Sequence, residues 1–438
     1  MARAIARLAN LPDFAVFPRR YAVTALRMRL RMSRIRYMGN KHLLAPDVVE
    51  LASSLERKAT LVDVFCGMGS VGRGFSSSGW PVWGNDVQEY AALAGRCYLA
   101  GSASPATVQR LRSILRPSFV RNRRSLRSRF QSDLMSEQHA LRLASQAEYQ
   151  KLYAAWRHAA NNGDVAREVA DLAQTPSDPY RLATLCYAWG YFGLEQSIEL
   201  DSLRFAIDDC LRRGLLLPGE AEWAKLAVLE TASTISASPG HFAQYLGANS
   251  VSGFARIRRQ RVRSVWRTFL VSCDQQEAYG DEQWRSKNEV FCDDALTVWS
   301  RPQLRALDRA VVYADPPYSK DHYSRFYHVL ETLLLYDYPT VVGKGRYREH
   351  RFATPFSIKR LAPQAFTDLF QRVAERKWSL VLSYPSNGLL PCDSVEELLR
   401  THFRKVELPV RRTVAHSTLG AKHGSAAKRV EELMWTAR

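Results

Sequence analysis

The sequence predicts an α/β protein whose mostly parallel sheet is assembled from both ends of the chain and interrupted by a long, mostly helical insertion. Three observations lead there. Near the N-terminus, "ATLVDVFCGMGS" and "PVWGNDVQEYAALAGRCYLAG" read as strand, glycine turn, helix, second strand and acid, the order of a parallel βαβ unit. Near the C-terminus, "RAVVYADPPY" and "WSLVLSYPSNG" are apolar runs that stop at turn residues, as strands buried on both faces do. Between them, residues 101–284 are rich in Ala, Leu, Arg and Trp and carry no glycine motif. The divisions are a basic tail over 1–31, α/β portions over 32–100 and 285–438, and the insertion over 101–284.

Length and charge bound the rest. A chain of 438 residues can bury a sizeable core, and 46% hydrophobic content without a run of membrane length points to a soluble globular protein with no membrane partner. Lys and Arg number 62 against 43 acids, a formal net charge of +19, which favours a polyanionic partner. The seven cysteines are scattered without a CxxC pair, so neither a disulfide framework nor a zinc site is expected, and a reducing, cytoplasmic setting is. Residues 1–31 hold many arginines and one acid, Asp13, a composition shared by transit peptides and disordered basic tails. "MSRIRYMGNK" from Met32 also reads as a natural beginning, so a tail or an over-extended start is preferred to a transit peptide.

Two arginine clusters mark the insertion. Residues 110–130 hold eight arginines and no acid. Residues 255–266 hold five, Arg256, Arg258, Arg259, Arg261 and Arg263, again without an acid and flanked by Phe254 and Trp266. A charge run is usually a solvated face. Unbalanced runs with aromatics alongside suit phosphate contacts and base stacking, so both clusters, the second above all, are expected to touch nucleic acid.

The chemistry-bearing motifs lie in the α/β portions. In "LVDVFCGMGSVGRGF", Asp63 sits on the strand, Phe65 follows it, and Gly67 and Gly69 let the backbone approach a ligand. Asp86 ends the second strand, where an acid can accept from a ribose diol. Asp294 in "FCDDAL" follows a further short strand, with Asp293 as its alternative. Asp315, Pro316, Pro317 and Tyr318 close the strand "VVYADPPY". Beyond them a loop leads to a helix over about 325–336. Lys320, His322, Tyr323 and Arg325 of this stretch could meet a nucleic-acid backbone or pack against the insertion. His328 and Glu331 stand at helical spacing, but a pair without a third ligand is far more often structural.

In their order, "RYMGNK", "DVFCGMGSVG", "GND", "CDDA" and "VVYADPPY" resemble the motifs of Dam-type adenine-specific DNA methyltransferases, and "GAKHGSAAKRVEELMW" resembles that class's closing segment. The likeness covers the two α/β portions and implies a Rossmann-like domain dependent on S-adenosylmethionine, without a metal. It places Tyr37, Lys41, Phe65, Gly67 and Gly69 around the methionyl and ribose parts of that cofactor, with Lys41 suited to its carboxylate. Asp63 would orient the turn or meet the cofactor amine through water, Asp86 would hold the ribose, and Asp294 the adenine amine. Asp315 and the Pro316 carbonyl would accept hydrogen bonds from the target amine. The two prolines would fix that carbonyl, and Tyr318 would stack on an extruded base. Double-stranded DNA is the implied substrate, the insertion the region that reads it, and a restriction-modification or phage-defence setting, with a possible nuclease partner, the implied context. RNA, cytosine or a protein amide as acceptor, or a silent DNA-binding module, are the other readings. A nicotinamide oxidoreductase leaves the DPPY strand end unexplained.

Overall fold

A computed structural model describes residue 35 and residues 41–101, 104–161, 163–416 and 428–438. The basic tail and Tyr37 lie outside the described residues. Among the described residues the main sheet has seven strands: β1 Thr60–Asp63, β2 Val82–Asn85, β3 Glu289–Phe291, β4 Ala310–Ala314, β5 Ser379–Pro385, β6 Val406–His416 and β7 Lys428–Ala437. Their spatial order is β3-β2-β1-β4-β5-β7-β6, and β7 alone runs antiparallel to its neighbours. The order reverses between β1 and β4, which lie side by side with Asp63 opposite Tyr313. At such a reversal the loops leave in opposite directions and open a crevice at the carboxyl ends of the strands.

β1, β4 and β5 are buried along their whole length because both faces of the sheet are covered. Val62, Val312, Leu380 and Leu382 face one core, closed by Phe366, Leu369 and Phe370 of the helix Ala362–Glu375. Leu61, Val311, Tyr313, Val381 and Met434 face the other. Helices Ala45–Leu55, Glu89–Gly95 and Tyr323–Leu335 cover that second face, the last supplying Val329, Leu330 and Leu333. Each such aliphatic side chain contributes ~1.5–3 kcal/mol by leaving water.

The stretch 101–284 is helical, as expected, from Val108–Arg129 to Glu282–Arg285. It shares one core with the α/β part: Leu115, Phe119, Leu203 and Trp223 belong to the same apolar cluster as Leu61 and Val82. Glu331 strengthens the join. Its carboxylate accepts from the main-chain N–H groups of Glu89 and Tyr90, both at 3.0 Å, and so caps the helix that follows β2. His328, buried, is paired through Nε2 with the Phe242 carbonyl at 2.8 Å, and burial pushes its pKa down to about 3. The His328–Glu331 pair thus has structural work, and no described helix is long and apolar enough to cross a membrane.

The arginine clusters fold differently from expectation. In 110–130, Arg110, Arg121, Arg123, Arg127 and Arg129 reach acids of distant helices: Glu220, Asp209, Glu195 and Glu168. Arg112, Arg116 and Arg124 stay exposed. In the helix Val251–Arg261, Arg256, Arg258 and Arg259 are exposed, as is Arg263 just after it, but Arg261 is only 7% exposed. Arg261 donates to Tyr149 Oη at 3.1 Å and to the carbonyls of Tyr191 and Gly190 at 3.0 and 2.9 Å. Its place on the inward face of the helix therefore removes it from the expected nucleic-acid contacts. The expected stacking aromatics are also occupied, Phe254 in a core beside Tyr149 and Trp266 against Phe119 at 4.6 Å.

Arg261→Ala strips two buried carbonyls and a tyrosine of their donor and should cost about 3 kcal/mol in urea unfolding. Arg259→Ala, on the solvent side of the same helix, should stay within about 0.5 kcal/mol. Equal losses would contradict this division of the cluster.

Candidate active site

The phase of the strands decides which side chains meet. Residues alternate between the two faces, so Leu61 and Asp63 share a face, as do Val311, Tyr313 and, just past the strand, Asp315. On β5 and β7 the same face carries Val381 with Ser383 and Met434 with Glu432. At the crevice, one face of the sheet therefore gathers Asp63, Asp315, Ser383 and Glu432. Lys41 comes to the same face from the segment before the helix Ala45–Leu55.

These groups form a buried network. Lys41 Nζ bonds Glu432 Oε1, which also accepts from Ser383 Oγ at 2.7 Å. The same ammonium stands 3.1 Å from Asp315 Oδ1, within charge-pairing range, and this buried oxygen has no aligned hydrogen-bond partner among the described residues. Burial works against the Lys41 charge, but Asp315 and Glu432 outweigh it and hold the amine protonated. Burial lifts the Asp315 carboxyl to about 7, with Lys41 pulling it down and Glu432 pushing it up. The Lys41 ammonium is thus committed to two protein carboxylates, whereas the sequence suited it to a ligand's carboxylate.

Around this network lies a cavity lined by Lys41, Asp63, Phe65, Gly67, Asp86, Asp294, Asp315 and Pro317, among others. Gly67 and Gly69 have φ of 50° and 72°, a backbone conformation that favours glycine, and a Cβ on Gly69 would press on Leu99 Cδ1 at 3.0 Å. Asp63 Oδ1 accepts from the Phe65 N–H at 3.3 Å, which orients the turn, and burial raises its carboxyl strongly. Asp86 accepts from the N–H groups of Gly67 and Gln88 at 3.1 and 2.9 Å, and burial still lifts it to about 6. Its carboxylate braces the glycine turn from the end of β2 while lining the cavity.

Of the two neighbouring acids after β3, Asp294 lines the cavity and Asp293 is held outside by Arg301 at 2.6 and 3.0 Å. Pro316 is buried, Pro317 lines the cavity, and Tyr318 is half-buried with its ring centre 5.9 Å from Lys41 Nζ. His322 and Tyr323 turn into the cavity, while Lys320 and Arg325 are exposed, Arg325 lying over the Tyr347 ring at 5.5 Å. Tyr347 in turn donates to the Ala243 carbonyl of the helical segment. The helix after this loop spans Tyr323–Leu335, starting two residues earlier than its periodicity suggests. Glu432 and Ser383 were not among the sequence-derived candidates. One signal could have found Glu432: in "RVEELMW" its phase matches Met434, placing an acid on the buried face of a strand.

The family model for the D12 class N6 adenine-specific DNA methyltransferase matches residues 37–187 and 279–380, running well past the quoted motifs into the helical stretch. Modification methylase LlaI of Lactococcus lactis subsp. lactis is 22% identical over 407 residues, 91% of this chain and 54% of that protein. Type II methyltransferase M.FokI of Planomicrobium okeanokoites is 24% identical over 251 residues, 56% of this chain and 34% of the relative. The chain thus spans about half the length, or less, of these curated relatives. With more than half of its residues matched by the family model, and the DPPY strand end beside the glycine turn, the chain belongs to the D12 class N6 adenine-specific DNA methyltransferase family.

Proposed function

We propose that the chain methylates the exocyclic amine of adenine in double-stranded DNA, using S-adenosylmethionine and acting on a base extruded from the helix. The observation that carries this reading is the Asp315 carboxylate. It stands at the carboxyl end of β4, beside the glycine turn of β1, with a buried oxygen that accepts no hydrogen bond from the described residues. An exocyclic amine is a poor nucleophile because its lone pair is spread into the ring. Accepting its protons in hydrogen bonds localises that pair on nitrogen, and a preorganised acceptor does so without reorganising. Asp315 fills this role, with the Pro316 carbonyl as second acceptor. Tyr318 provides the ring on which the extruded base stacks, since a paired adenine is out of reach.

The crevice suits the cofactor. Gly67 brings main chain to its wall, Asp86 has acceptor capacity beyond its main-chain donors, and Asp294 and Phe65 flank the same space. Asp86 would take the ribose hydroxyls and Asp294 the adenine amine. When bound, S-adenosylmethionine supplies an electrophilic methyl group on sulfonium. Asp63 keeps the glycine turn in shape through the Phe65 N–H.

DNA would meet the helical region, with Arg256, Arg258, Arg259 and Arg263 as phosphate contacts, Arg261 being withdrawn inside. The names of the relatives, a modification methylase and a type II methyltransferase, support a role in restriction-modification; a cytoplasmic setting and a nuclease partner belong to the same proposal.

The deciding assay is methyl transfer from labelled S-adenosylmethionine to mixed-sequence duplex DNA, followed by digestion to nucleosides and mass spectrometry. Methyladenine should form, and Asp315→Ala should lose on the order of a thousandfold in rate with DNA binding kept. Product on RNA alone would overturn the DNA assignment. Because the acceptor must be ionised, the rate should fall about tenfold per pH unit below an apparent pKa near 7. A flat profile from pH 5 to 8 would remove Asp315 from that role. Replacing Arg256, Arg258, Arg259 and Arg263 with alanine should weaken DNA binding and reduce its salt slope by roughly 0.9 for each phosphate no longer neutralised. An unchanged slope would return these residues to the solvated surface.

A further inference from the structure

We propose that Glu432 is a positioning residue that draws the Lys41 ammonium off Asp315, leaving one Asp315 oxygen open to the substrate amine. The proposal rests on the methyl-transfer reading above and extends it to the last strand of the sheet. Glu432 lies on β7 and is only 2% exposed. Its Oε1 receives two donors, Lys41 Nζ and, at 2.7 Å, the Ser383 hydroxyl. The ammonium is 3.1 Å from Asp315 Oδ1, yet among the described residues that oxygen has no aligned hydrogen-bond donor.

This arrangement separates two effects that one lysine would otherwise deliver together. A cation beside a buried carboxylate favours its charged form, which an acceptor needs. A full bidentate or head-on ion pair would also fill the lone pairs that the substrate amine must use. With Glu432 taking the hydrogen bond, Lys41 gives Asp315 its field while the oxygen remains open. Ser383 fixes the oxygen to which the lysine is drawn. The groups facing Asp315 are Lys41, Glu432, Asp63, Tyr313, Tyr318 and Tyr323. Removing the Glu432 charge leaves Lys41 to close on Asp315, which then ionises more readily and presents a blocked oxygen.

The test uses the full chain with Glu432→Gln and Glu432→Asp, thermal unfolding as the folding control, and steady-state methylation of duplex DNA as a function of pH. Glu432→Gln should lower kcat about tenfold or more and leave KM for S-adenosylmethionine and DNA within about threefold. It should also move the acid limb of the profile down by roughly one pH unit. Glu432→Asp keeps the charge and should recover most of kcat with the limb near its wild-type position. If Glu432→Gln does not fold, Glu432→Asp carries the test, and a limb displaced as far as one unit in that variant overturns the proposal. A folded Glu432→Gln whose limb is unmoved, or whose loss lies in KM alone, makes Glu432 a structural residue and overturns the proposal by itself. Absence of methyladenine from the wild-type chain overturns the methyl-transfer reading, and this proposal with it.

Discussion

The site is organised by one buried ammonium shared between two carboxylates. Asp315 follows β4, Glu432 lies on β7, and Lys41 precedes the first described helix, so three distant pieces of chain meet at a single positive charge. Burial of either carboxylate alone would drive it to its neutral form, and burial of both without a cation would add their repulsion. Burial of the lysine alone would strip its proton. Only the set of three is electrically tenable. Such an arrangement is weak as a source of stability, because desolvation consumes most of the attraction, but it is strict about geometry. A second ion pair between the same chain ends, Arg412 with Asp47, fastens β6 to the helix that follows Lys41. The N-terminal segment is therefore registered against the last hairpin before any ligand arrives.

The sheet order explains why that charge lies where it does. β1 and β4 are neighbours whose connections leave on opposite sides, so their carboxyl ends border an opening rather than a packed loop. Glycines at the end of β1 keep the opening clear, and Asp86 braces them from β2. The helical stretch is bound to this frame. Its helices share the core beneath the sheet, and Glu331, on the helix after the DPPY loop, caps the helix after β2. A displacement of the helical stretch thus strains elements that shape both sides of the cavity.

What could be read from the sequence follows from the range of the interactions involved. The strands, the glycine turn and the DPPY end are set by local alternation and local backbone needs, and they lie where the apolar runs place them. Asp293 and Asp294 are adjacent and chemically alike; an arginine eight residues away, Arg301, holds one of them out of the cavity. The first arginine cluster has no acid within its own segment, and five of its eight side chains find acids on helices about 39 to 110 residues away. No local count of charge could register that. Arg261 differs from Arg259 only in helical phase, and burial depends on the partner the inward face meets, here Tyr149, Gly190 and Tyr191. Glu432 carried a usable signal in its strand phase, but its partner Lys41 lies 391 residues away.

The open Asp315 oxygen also bears on which base the site can accept. No donor among the described residues is aligned on that oxygen, so an arriving N–H group finds a ready acceptor. In the proposed reaction an exocyclic amine provides that group. A base with a carbonyl at the same position would set oxygen against the ionised carboxylate oxygen. The resulting discrimination is larger than a difference in shape can provide, because a polar mismatch in a buried pocket is penalised more heavily than a missing methylene. Lys41 sharpens it. Its ammonium, turned toward Glu432, cannot rotate to satisfy the intruding carbonyl without abandoning a carboxylate that Ser383 holds in place. In the proposed reaction, the geometry that keeps Asp315 open to an amine also disfavours an oxo group once the carboxyl is ionised, above about pH 7.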